Sequence, residues 1–146
     1  MIAVSALVAL GGTVVAAAVD ARTGLIPDAV TRTTALAALG CAVAAGVAPV
    51  ACGGAYAVGG ALLALHLLTR GRGLGLGDVK LGTAIGAGFG PAAGTVALSA
   101  AFVLGGAYAG WLLITRRARR GDTIRFGPFL AAGTVVAAFV PAAAFA

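Results

Sequence analysis

Two uncharged stretches, residues 33–69 and 81–115, constrain this chain more than any other feature. They are 37 and 35 residues long. A bilayer core of about 30 Å takes roughly 20 helical residues to cross. Each stretch is too long for one crossing and suits two. Both carry breakers near the middle, Gly46, Pro49, Gly53 and Gly54 in the first and Gly90-Pro91 in the second, so a hairpin turn is expected at each. The flanking uncharged runs, 1–19 and 126–146, suit one helix each. The expected fold is an all-α integral membrane protein, a single domain over 1–146 built as a bundle of six transmembrane helices. Only 10% of the residues are charged, against about a quarter in a soluble domain. The abundant alanine and glycine suit close helix packing in lipid.

The basic residues set an orientation. Arg22 and Arg32 fall between expected spans one and two. Arg70, Arg72 and Lys80 fall between three and four, and Arg116, Arg117, Arg119, Arg120 and Arg125 between five and six. These are all ten, and they occupy alternate connections, hence one face. The positive-inside rule makes that face cytoplasmic and puts both termini outside. The first run has no basic residue before it, so it reads as an uncleaved span and not a signal peptide. The net charge of +6 does not point to nucleic acid, because the arginines form no continuous stripe.

Gly73-Leu74-Gly75-Leu76-Gly77-Asp78-Val79-Lys80-Leu81 is the segment that membrane filler does not explain. It places a carboxylate behind alternating glycines, where an apolar run begins. An ionisable group at that depth is expensive and points to function. A helix starting near Val79 would favour negative charge at its N-terminus, giving an anionic site at the membrane edge. Taken alone, the pattern also suits a Gly-rich loop with Asp78 as an ordinary N-cap. If the helix ended at Gly90, Val79 to Phe89 would span only about 17 Å. Either the helix passes the Gly-Pro step or its start is recessed, with Asp78 below the surface.

All four acidic residues are aspartates, and all fall on the charged face: Asp20, Asp28, Asp78 and Asp122. Asp20 ends span one. If spans one and four are neighbours, Asp20 meets Asp78 at the boundary. Two close carboxylates share a proton, so one can act as base on water while the other polarises a carbonyl. That chemistry needs no metal and no cofactor. The alternative for Asp20 is an interfacial residue paired with Arg22 or Arg32. Asp28, after Pro27, is expected to N-cap span two. Asp122 reads as a solvated loop charge and His66 as an interfacial histidine. Lys80 either anchors the helix at the head groups or binds substrate.

Other chemistries are poorly served. A lone histidine excludes the two-histidine zinc-protease helix. Ser5 and Ser99 have no evident base. Cys41 and Cys52 form no Cys-x-x-Cys pair and read as buried small hydrophobes.

Three segments together resemble the type IV prepilin peptidases, membrane aspartic proteases that remove leaders from pilins and pseudopilins. They are Asp20-Ala21-Arg22-Thr23-Gly24-Leu25-Ile26-Pro27-Asp28, the Gly-x-Gly-Asp segment Gly75-Leu76-Gly77-Asp78-Val79-Lys80-Leu81, and Phe126-Gly127-Pro128-Phe129-Leu130-Ala131. The resemblance implies a Gly-x-Gly-Asp membrane aspartic protease core with Asp20 and Asp78 as the catalytic pair. Gly75, Gly77 and Lys80 would shape the site or bind substrate. It implies a multi-pass protein of the inner (cell) membrane, acting at the cytoplasmic face. Its substrate would carry a short basic leader, a glycine before the scissile bond and an apolar helix after it, the helix staying in the lipid bilayer. Larger members carry an extra N-terminal region, often with paired cysteines, and methylate the new N-terminus. This chain resembles the short form, for which methyl transfer is not expected. Two other readings compete, a transporter whose aspartates carry protons or cations and a non-catalytic scaffold of a pilus or secretion complex.

Overall fold

The computed structural model describes residues 2–117 and 124–140. Asp122, Arg119, Arg120 and the last six residues of the final apolar run lie outside the described residues. Every regular element among those described is helical. In order they are α1 (Ile2–Thr23), α2 (Asp28–Ala44), α3 (Ala48–Leu68), α4 (Leu76–Ile114) and α5 (Gly127–Phe139). Three of these, α1, α3 and α4, are long and apolar enough to cross a membrane.

The first middle stretch turns where its breakers lie. α2 ends at Ala44, Gly46 takes φ +72°, and Pro49 sits in the first turn of α3. Pro fits there because the first helical N–H has no partner to lose.

The second stretch also turns at its breakers, though more abruptly. α4 covers 39 residues but is two helices joined at a kink, where Gly90 has φ 76° and ψ 178°. Only glycine takes that conformation readily. Pro91 follows and lacks the N–H to continue the ladder. The chain folds back here: a Cβ on Gly94 would lie 3.3 Å from the Cα of Gly86, whereas positions eight apart in a straight helix are about 12 Å apart. α4 is thus two limbs, 76–89 and 91–114. The first is about 21 Å long, shorter than a bilayer core, and the second about 36 Å. The Ser5 hydroxyl donates to the Gly88 carbonyl at 3.0 Å, tying α1 to the turn of backbone just before the break.

The first limb of α4 is the centre of the bundle, with nearly every residue from Asp78 to Gly90 buried. Its core partners include Ala9 of α1, Ala38 of α2, Val58 and Leu62 of α3 and Leu130 of α5. Small residues allow this. A Cβ on Gly86 would lie 2.1 Å from the Gly54 carbonyl oxygen, and one on Gly54 would lie 2.0 Å from that of Gly86. The α3–α4 crossing is therefore backbone against backbone, the close packing that small residues permit in lipid.

Both cysteines depart from expectation. Cys41 is half-buried and Cys52 is exposed, because these faces of α2 and α3 turn away from the core.

Candidate active site

Five helix ends converge on one cleft: the C-terminus of α1, the start of α2, the segment after α3, and the starts of α4 and α5. The cleft has a volume of about 490 Å³ and is lined by both Asp20 and Asp78. Both side chains are buried, at 5% and 8% exposure. The fold thus places in one cleft the two carboxylates that the sequence pairs.

Each carboxylate is held by a glycine N–H at a helix start. Asp78 is the third residue of α4, and its Oδ2 accepts from the N-cap Gly75 N–H at 3.2 Å. This is the acidic half of a capping box; Gly75 has no side chain to supply the other half. Asp78 is therefore not the N-cap. Asp20 lies in the last turn of α1, and its Oδ2 accepts from the Gly127 N–H of α5, also at 3.2 Å. Helix N-termini carry partial positive charge, which favours a carboxylate beside each. The other oxygen of Asp78, Oδ1, is buried without a protein partner. It is the oxygen left to carry a proton.

Neither arginine suggested for Asp20 pairs with it. Among the described residues the ion pairs both involve Asp28, with Lys80 at 2.6 Å and Arg32 at 3.5 Å. Asp28 is the first residue of α2, after an N-cap at Pro27, and makes no capping bond. Its carboxylate is drawn instead to Lys80, whose hydrogen bond and charge hold the Asp28 carboxyl below its ordinary value. Lys80 accordingly bridges α4 to α2. The stabilisation from this pair is complete above the ordinary carboxylate pKa and fades as pH falls through the lowered one. Lys80→Met should lower the melting temperature slightly at neutral pH and low salt. The difference from wild type should shrink progressively as pH falls below the ordinary carboxylate range, and in about 1 M salt, as scanning calorimetry in detergent would record.

The cleft is not purely anionic. Arg72, Lys80 and Arg125 line it beside Asp20, Asp28 and Asp78. His66 pins the segment before α4, its Nδ1 lying 2.7 Å from the Leu74 carbonyl oxygen. That acceptor requires the hydrogen on Nδ1. Gly77 lies against Ile26, where a Cβ would come within 3.0 Å, so the Gly-x-Gly-Asp segment packs on the Ile-Pro-Asp segment.

Two residues carry no site role in the sequence reading. Arg125 donates to the Ala21 carbonyl at the end of α1 and packs on Gly24. Gly127 holds Asp20, and an aromatic cluster of Phe102, Phe126, Phe129 and Tyr108 fixes the start of α5 in place. The Phe126-Gly127-Pro128 segment was the available signal, but nothing in it says which side chain it faces. A Cβ on Gly127 would lie 2.6 Å from Asp20 Oδ2. Gly127→Ala should therefore displace the carboxylate more than it harms the fold. Melting temperature should change little, while any reaction that depends on the Asp20 carboxylate should fall about 100-fold, since a misplacement of about 1 Å costs that much.

Among the described residues, no three of His, Cys, Asp and Glu gather as a metal ion would require.

Helices long and apolar enough to span lipid, with paired carboxylates in a cleft at one end, define a class of membrane protein with an acidic site. The model of the Type IV leader peptidase family matches residues 7–110, a span that includes Asp20 and Asp78 but not Gly127, and the chain belongs to that family. It is a membrane peptidase. Neither the curated proteins nor the solved structures yield a match.

Proposed function

We propose that this chain is an aspartic endopeptidase that removes the basic leader of prepilins or pseudopilins, with Asp20 and Asp78 as its catalytic pair. The observation that carries this is the convergence of those two buried carboxylates, each steadied by a glycine N–H, in one cleft.

In the reaction one carboxylate is ionised and the other protonated. The ionised one takes a proton from water, whose oxygen attacks the scissile carbonyl carbon. The protonated one gives its proton to the carbonyl oxygen, so the tetrahedral intermediate forms without an exposed oxyanion. Collapse of that intermediate returns a proton to the leaving amine and breaks the C–N bond. With Oδ2 of Asp78 engaged by Gly75, its Oδ1 is the oxygen free to carry the proton that the reaction moves.

The protein sits in the inner membrane as a single domain of six crossings, the two limbs of α4 counting as two. Both termini lie outside and the cleft opens to the cytoplasm. The cut falls after the glycine that precedes the apolar helix. Gly75 and Gly77 shape the site. The Lys80 ammonium, shared with Asp28 at the cleft wall, is placed to contact the leader backbone.

Cleavage of a prepilin in detergent by wild type and by Asp78→Asn tests this reading. Mass spectrometry should find the cut after the glycine and no added methyl group. An intact precursor after incubation with wild type would overturn it, and intact pilus assembly with both Asp→Asn variants would favour the scaffold.

A further inference from the structure

A second cavity lies outside the cleft, an apolar groove of about 390 Å³ between α2, α3 and the first limb of α4. It exists because α2 and α3 both pack on α4 and scarcely on each other. Its floor is Val79, Thr83 and Ala87, one stripe of α4 at four-residue spacing. Leu36 and Leu39 form the α2 wall, and Gly60 and Leu63 are on the α3 wall. Leu36 and Leu63 are exposed.

The geometry points to this groove as the docking site for the substrate's apolar helix, the segment that follows the scissile bond. This rests on the peptidase reading above. Three observations carry it. The floor begins at Val79, the residue next to Asp78, and runs about 12 Å away from it. The Asp28–Lys80 bridge crosses from α2 to α4 at that same end, and both residues line the cleft. An occupant therefore passes from apolar walls to charged ones within one turn of the carboxylates, which is the polarity of a helix joined to a basic leader. The floor makes no polar demand, because the Thr83 hydroxyl donates to the Val79 carbonyl at 2.9 Å. Gly59 packs on Thr83, and Gly60, with open space around it, lets another backbone come close.

The groove supplies its own reporter and its own plug. Cys52 lines it near Gly54, at the level of Gly86 and hence at the end away from Asp78. A Cβ on Gly60 would meet nothing within 4 Å, so a large side chain there enters the groove without strain. The probe is a membrane-inserted peptide of basic leader, glycine and one apolar helix, carrying a single cysteine walked through its first four turns. With Cys41→Ala and Asp78→Asn, oxidation in membranes should join the probe to Cys52 most strongly when its cysteine lies two to three turns past the cut. Yield should exceed by about tenfold that of a control cysteine, Gly106→Cys with Cys52→Ala, placed on an open face of α4. Gly60→Trp should abolish the cross-link and raise KM for probe cleavage about tenfold with kcat unchanged. Equal cross-linking at both cysteines, Cys52–Cys52 dimers in place of probe adducts, or a wild-type KM in Gly60→Trp would each overturn the proposal. A wild-type protein that cross-links in this pattern but never cuts the probe would sink the peptidase reading and sustain the groove. Cutting without the cross-link would do the reverse.

Discussion

Exchanging Asp20 or Asp78 for asparagine is expected to abolish leader cleavage while the protein still inserts and folds. Asparagine keeps the size of aspartate and one carbonyl oxygen, which can still accept from the Gly127 N–H at Asp20 or the Gly75 N–H at Asp78. The two glycine N–H groups keep their acceptor; the new amide N–H2 at position 78 takes the place of the partnerless Oδ1, a cost of about 1–3 kcal/mol that should lower the melting temperature without unfolding the protein. The amide can neither take a proton from water nor hold one for the carbonyl oxygen. Both proton transfers belong to one step, so either exchange should cost on the order of 10⁴-fold in kcat or more. The double variant should be no worse than either single one, because groups that act as a unit lose their effect together. Turnover of a prepilin in detergent, followed by mass spectrometry, would measure this. Either single variant retaining a tenth of wild-type activity would remove Asp20 and Asp78 from the assigned roles.

Gly86→Val should instead destroy the folded protein. The added Cβ would lie 2.1 Å from the Gly54 oxygen, 2.4 Å from its carbonyl carbon and 2.9 Å from the Ala55 nitrogen. Those are backbone atoms of α3, so no side chain can rotate to make room. α3 and α4 must separate, and the first limb of α4, which carries Asp78, loses its packing. Overpacking in a relaxed core costs about 1–3 kcal/mol, and a backbone–backbone clash should exceed that. The expected result is a loss of monodisperse protein in detergent and of any cooperative thermal transition. Gly53→Val, one residue from Gly54 but with open space around it, should fold normally. A stable Gly86→Val protein would mean that the two helices do not cross where the structure puts them.

Asp28 shows how a correct motif can be assigned the wrong local role. Asp28 after a proline is good N-cap chemistry, and the sequence offers no reason to expect otherwise. In three dimensions Lys80 is brought to its carboxylate, and an ion pair replaces the cap. Asp20 is the converse case. Nearby arginines in the chain suggested a pair, but α5 delivers a backbone N–H instead. Cys52 turned out exposed because hydropathy reports that a residue tolerates lipid and does not say whether protein or lipid surrounds it.

Residue order alone determined the all-helical membrane class, the turn near Gly46, the break at Gly90 and the two aspartates worth pairing. These follow from local or additive quantities: run length against bilayer thickness, the conformational range of glycine, the N–H that proline lacks, and the cost of a charge at an apolar boundary. Only the tertiary structure decided that Gly127 and Gly75 hold the two carboxylates, that Lys80 reaches Asp28, and that an apolar groove leads away from Val79. Those depend on which helices lie side by side and at what rotation. In this chain close backbone approach at small residues sets that arrangement, and alanine and glycine are too frequent along it for their positions to name the partners in advance.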